Sequence, residues 1–163
     1  MSTKIVQPIK IYRQEARNGL MWDRVPGEES SQSYKAGSPL VRDASSGEIE
    51  EWAGGTDTSK LVGFAADDAS ETAGTKVPYY EANDYNLFSA TMINGTDAYT
   101  LLGTEKGTAY SLVNSGDNWL VDVSDTTTPM VTVVDLIDAV SDVNPRCVCR
   151  VVGDKQANAL LED

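Results

Sequence analysis

Histidine is absent from this chain of 163 residues. Its absence removes the commonest general base, the Ser-His-Asp and Cys-His arrangements, and most zinc sites. Cysteine is scarce, with Cys147 and Cys149 the two present. Alternate positions on a strand point to one face, and a bridge between them would close a very tight loop. Two reduced thiols, packed as small apolar groups, are expected. Phenylalanine is scarce: there are two Phe among 40% apolar residues, most of them Ala, Val and Leu. A core of thin layers follows. Long apolar runs are missing too. The opening MSTKIVQPIKIYRQEARNG has no continuous apolar segment of the signal-peptide kind, and nothing is long enough to span a bilayer. Synthesis in a cytosol, without classical export, is the expectation.

Positive charge is the other shortage. Thirteen Lys and Arg face 25 Asp and Glu, giving a net charge of -12. A phosphate-binding groove needs clustered cations, so a nucleic-acid partner is not expected. An anionic membrane surface is disfavoured for the same reason. An acidic surface keeps a protein soluble and apart from its like-charged copies. The length suits one domain with an arm or tail, large enough to bury a core without disulfides.

No GxSxG, P-loop or strand-linked GxGxxG pattern is present. Carboxylates remain, but with 25 of them some pair always matches a glycosidase in principle. No catalytic residue is assigned, and solvated positions are the expectation for most acids. Asp67-Asp68 and the group Asp117, Asp122 and Asp125 lack the alternation, central Gly and terminal Glu of a calcium loop. They read as turn formers, so no metal or cofactor is expected. Asn94-Gly95-Thr96 matches the glycosylation sequon but reads as a hairpin turn. Trp22, Trp52 and Trp119 suit sugar stacking in principle, and core or interface anchoring better.

Short apolar runs separated by Gly, Asn, Asp and Ser clusters predict strands near 34–41, 48–52, 61–66, 77–82 and 87–93. Residues 108–113 and 118–123 form the clearest hairpin, around Asn114-Ser115-Gly116-Asp117. Trp119, Val121 and Val123 share one face of its second strand. Residues 130–134 read as a strand breaking into a turn near 135–142, although helical spacing fits there too. The last strand is 147–152. The fold class is therefore all-β, a small antiparallel β-barrel or sandwich with an extended N-terminal arm. Three parts are expected: an arm and linker at 1–33, the β domain at 34–152, and a C-terminal tail at 153–163.

The arm has its own character. It carries Lys4, Lys10, Arg13, Arg17 and Arg24 against Glu15, Asp23, Glu28 and Glu29, and Pro8 disfavours an early helix. Ile9 and Ile11 lie on one face of an extended strand, with Tyr12 on the other. Leu20, Met21 and Trp22 form an apolar run that a solvated tail would not need. These six residues, Ile9, Ile11, Tyr12, Leu20, Met21 and Trp22, are the candidate binding residues. Strand addition to an exposed sheet edge, with Trp22 as anchor, is the expected mode.

Residues 34–82 place Ala36-Gly37 before Leu40-Val41, then Leu61-Val62-Gly63-Phe64-Ala65, then Ala73-Gly74-Thr75-Lys76-Val77. In these motifs the chain resembles the small β-barrel capsid decoration (cement) proteins of tailed bacteriophages. Its long N-terminal stretch departs from their most compact members. The resemblance implies a non-enzymatic virion protein on the outer capsid surface, bound to the major capsid protein and stabilising the lattice. It also implies homotrimers or symmetric clusters, with residues 130–134 available to pack between copies. A ligand specific for the assembled lattice stabilises it by mass action. A carbohydrate-binding or host-adhesion module, and a tail-tube or head-completion protein, are the alternatives.

Overall fold

The computed structural model describes residues 1–14, 20–21 and 27–157. Among these the regular structure is all-β, apart from one 3-10 turn at Gly153–Lys155. No helix there is long and apolar enough to cross a membrane.

The strands are β1 (Lys10–Gln14), β2 (Leu20–Met21), β3 (Pro39–Arg42), β4 (Ile49–Glu51), β5 (Leu61–Ala65) and β6 (Tyr79–Glu81). They continue as β7 (Asn86–Asn94), β8 (Asp97–Ala98), β9 (Ala109–Ser115), β10 (Asn118–Asp122), β11 (Val131–Leu136) and β12 (Arg146–Val151). Five of them close a barrel in the order β7-β10-β9-β11-β12, with β12 returning to β7. Its neighbours are antiparallel except β7 and β10, which run parallel through Met92–Val121 and Ile93–Asp122. The closure is thus mixed: the two strands are joined through β8 and β9 rather than by a hairpin, and parallel pairs need such crossovers. β1 adds to β7 where β7 leaves β10, and β8 is a short hairpin return at the far end of β7. A second, antiparallel sheet has the order β2-β6-β5-β3-β4.

The local reasons are visible in the sequence. Asn118 pairs with Ser115, so Gly116-Asp117 forms a two-residue hairpin loop, with Gly116 at φ 68°. Residues 34–38 do not extend β3. Ser38 N–H donates to Lys35 O at 2.9 Å, closing a turn before Pro39. β6 begins after Pro78, which has no N–H to donate to a ladder. Residues 130–134 adopt the strand alternative, and β11 bulges between Val133 and Asp135. Their β-branched side chains suit a pleated surface.

One core fills the barrel and continues under the second sheet. Phe88, Met92, Trp119, Val121, Met130, Val131 and Val133 meet Val41, Trp52, Leu61 and Phe64 from that sheet. Phe64 and Phe88 cross at 4.6 Å between ring centroids and 60° between planes, a tilted pairing that packs the layers together. A smaller core, with Tyr34, Leu40, Ile49, Val62 and Tyr79, lies on the sheet's other face. β5 is accordingly buried along its whole length. Gly63 permits this packing: a Cβ there would stand 2.1 Å from the carbonyl oxygen of Tyr80. Cys147 and Cys149 are free and fully buried. The adjacent Cys147 thiol, together with burial, pushes the Cys149 thiol well above its ordinary pKa.

Candidate functional site

The N-terminal segment lies along the barrel. Lys4 N–H donates to Val143 O at 2.8 Å, and Gln7 N–H donates to Thr91 Oγ1 at 3.1 Å. Ile9 is buried in the main core. Its backbone passes so close to Gly37 (φ 91°) that a Cβ on Gly37 would stand 2.6 Å from Ile9 O. Alternation then turns Ile11 toward the core and Tyr12 away from it. Ile11 is half-buried, while Tyr12 is 56% exposed. The ladder with β7 slips between Ile11 and Arg13, so Tyr12 sits on a bulge, a device that re-aims a side chain.

Of the six candidate residues, Ile9 and Ile11 are therefore engaged by this chain's own core, and Tyr12 is presented to solvent. Leu20 and Met21 form β2, whose backbone pairs with Tyr80 and Tyr79 of β6. Trp22 lies outside the described residues. Residues 130–134 are not available between copies in the way expected. Met130, Val131 and Val133 point into the barrel and are buried, because β11 is one of its closing strands.

β1 pairs with β7 alone among the described residues, so it is an edge strand with its second side open. A cleft of about 320 Å³ runs beside it, lined by Pro8, Ile9, Ile11, Gly37, Ala65 and Tyr80. Gln14 pairs with Asn86, which places exposed Tyr85 (60%) within the same few rungs as Tyr12. An open strand edge, an apolar cleft and exposed tyrosines are the ingredients of strand addition.

A smaller polar pocket, about 150 Å³, lies between the β9–β10 hairpin and the second sheet, lined by Tyr34, Ser38, Glu51, Asn114 and Asp117. Glu51 Oε1 accepts from Trp119 Nε1 at 2.7 Å and from Ser38 Oγ at 2.8 Å. The Trp119 ring lies 5.3 Å from Trp52, tilted by 43°. Both tryptophans are almost wholly buried, so neither offers a ring face to a sugar.

Three of the carboxylates first considered for metal binding, Asp68, Asp122 and Asp125, accept N–H groups of turns and loops. Asp122 Oδ1 accepts from Gly95 N–H at 2.8 Å and Ser124 N–H at 2.9 Å. The Thr127 hydroxyl and N–H, with Thr128, hold the Asp125 carboxyl down to about 2. Asp68 accepts from Ala36 N–H at 2.9 Å. Among the described residues no group of three or more Asp, Glu or Cys is placed to hold a metal ion.

The two most deeply buried carboxylates, Glu28 and Glu105, escaped the reading of the sequence. Glu28 Oε2 accepts from Ser70 N–H at 2.8 Å and from the Tyr34 hydroxyl at 3.3 Å, while its Oε1 is buried without a hydrogen-bond partner. Burial and the adjacent Glu28 push the Tyr34 phenol far up. Glu105 accepts from the Tyr99 hydroxyl, from Leu102 N–H at 2.9 Å and from Gly103 N–H at 2.8 Å. Burial raises the Glu105 pKa, but these donors outweigh it and hold the carboxyl low. A Glu two or three residues after a Leu-Gly pair is the only sequence signal for such a loop staple. Glu28 had none, since its shorter bond comes from Ser70, forty-two residues on.

No family model, curated protein or solved structure matches the chain.

Proposed function

We propose that this protein is a structural binding module of a virion, a decoration protein that docks on the outer surface of a phage capsid and stabilises its lattice. The observation that carries the reading is β1, an open-edged strand beside an apolar cleft, with Tyr12 bulged into solvent. A strand of the major capsid protein would pair with β1 through main-chain hydrogen bonds, and its alternate side chains would enter the cleft. Tyr12 would be the anchoring side chain, as tyrosines often are at such interfaces. Copies clustered about a symmetry axis, trimers first among the arrangements, would add avidity. No chemical step is assigned to the chain.

The position of Ile9 decides the experiment. Removing the arm would open the core as well as the proposed contact. Tyr12→Ser leaves the core untouched, and is measured for binding to expanded, undecorated capsids of the particle that carries the protein. A fall of at least about tenfold in affinity is expected, from loss of one interface aromatic. Wild-type binding by a folded Tyr12→Ser protein sinks the reading.

A carbohydrate-binding role has one observation in its favour: exposed Tyr85 follows exposed Asp84, and half-buried Asn83 Oδ1 accepts from its N–H at 3.0 Å. Glycan binding that is abolished by Tyr85→Ala and indifferent to Tyr12→Ser would favour this reading over the first.

A further inference from the structure

At the end of the barrel where β11 leads into β12, large apolar side chains stand in water. Leu102 is 65% exposed and Val140 is 59% exposed. They are neighbours: Val140 Cγ2 lies 2.9 Å from where a Cβ on Gly103 would stand. Met1, also exposed, stands by the same loop, since Ser2 N–H donates to Asp142 Oδ1 at 3.0 Å and Val143 N–H donates to Ser2 O at 2.7 Å.

The patch is held in shape. Leu101 N–H donates to Asp142 O at 3.0 Å, Ser141 N–H donates to Leu101 O at 2.9 Å, and the Leu101 side chain is buried. Glu105 pins the next two N–H groups from below. A preformed patch loses little side-chain and loop freedom when it is covered.

Its charge differs from that of the whole protein. Lys4 reaches Asp142 at 3.2 Å and Asp138 at 3.9 Å. Arg146 meets Asp138 at 2.8 Å, and Lys106 meets Asp135 at 3.1 Å. Three cations here face four carboxylates, the fourth being the buried Glu105, in a chain with 13 cations against 25 carboxylates. Asp97 on β8, three residues before Thr100, is the nearest further acid upstream in the sequence. Two copies of a protein with net charge -12 repel over most approaches. They repel less where each presents an apolar end whose carboxylates are nearly matched by cations.

We infer that this end, centred on Leu102 and Val140, is the surface through which a second copy of the chain associates. Interdigitated Lys4, Asp142 and Asp138 around an apolar centre suit a self-complementary contact, with a polar rim of both signs. The contact uses neither Tyr12 nor the β1 cleft, so it leaves the proposed capsid-binding side free.

The test is sedimentation velocity of the free full chain from micromolar to millimolar concentration. It therefore stands or falls apart from the capsid reading. Reversible association is expected for wild type. Leu102→Asp combined with Val140→Asp should raise the dissociation constant at least about tenfold, by removing apolar burial and adding like charge. Tyr12→Ser should leave it unchanged. If the double Asp variant proves unfolded by far-UV circular dichroism, Leu102→Ser with Val140→Thr serves in its place. A wild-type chain that stays monomeric throughout, or a folded double variant that associates as wild type does, overturns the inference. So does wild-type binding through this end only to another protein or to lipid vesicles, with no self-association.

Discussion

Trp119→Phe isolates the bond that ties the barrel to the second sheet. The substitution keeps an aromatic ring in the core but deletes the Nε1–H that donates to Glu51 Oε1 at 2.7 Å. A hydrogen bond to a charged acceptor contributes about 1.5–3 kcal/mol. The lost half of the indole, packed at 5.3 Å against Trp52, adds a cavity term of about 1 kcal/mol. The sum is about 3 kcal/mol, which in a chain of this size lowers Tm by about 6–12 °C. Urea unfolding followed by circular dichroism should show a lower midpoint at unchanged slope. Glu51→Gln keeps an acceptor oxygen and removes the charge, so it should cost about 1 kcal/mol. The two changes made together should fall short of their sum by about 1 kcal/mol, because they break the same bond. Additive effects, or a Trp119→Phe cost below about 1 kcal/mol, would refute the assignment of this bond as the clamp.

Gly63→Ala places a Cβ 2.1 Å from Tyr80 O, which β5 and β6 can relieve only by separating; a loss above about 3 kcal/mol, or no soluble protein, is expected in a denaturant melt. Asp125 is held at about 2 against an ordinary 3.8, so its depressed pKa stabilises the fold above 3.8 and that contribution fades as pH falls from 3.8 toward 2. Asp125→Asn should therefore melt lower than wild type at pH 7 and converge with it near pH 2, and parallel curves across that window would contradict this account. Cys147 and Cys149, free and fully buried, should react with a thiol reagent at the rate of global opening, and fast labelling of the native protein would show that the barrel core is accessible.

How far the sequence carries can be argued from particular elements. The β9–β10 hairpin was legible because Gly116 sits between two alternating runs, a purely local signal. The turn roles of Asp122 and Asp125 were legible for the same reason: each bonds N–H groups two or three residues on. The face pattern of the arm, with Ile9 and Ile11 inward and Tyr12 outward, followed from the period of a strand. The partner of that inward face did not. Whether Ile9 meets this chain or another depends on where β7 parts from β10 and takes up β1, a pairing across more than seventy residues of sequence.

The same division holds for the candidate sites. Composition carried the acidic surface and the lack of a histidine-based site, and short-range periodicity carried the all-β class, because these depend on residue types and local pattern. Only the tertiary structure joined β10 to β7 in parallel, turned residues 130–134 into the barrel, and buried Glu28 among segments far apart in the chain. Only it set Leu102 beside Val140, and Lys4 between Asp138 and Asp142. Local signals act through backbone sterics and neighbouring hydrogen bonds, so they can be read residue by residue. Closure of the barrel is a collective outcome of burying every strand's apolar face at once, and no stretch of sequence holds it alone.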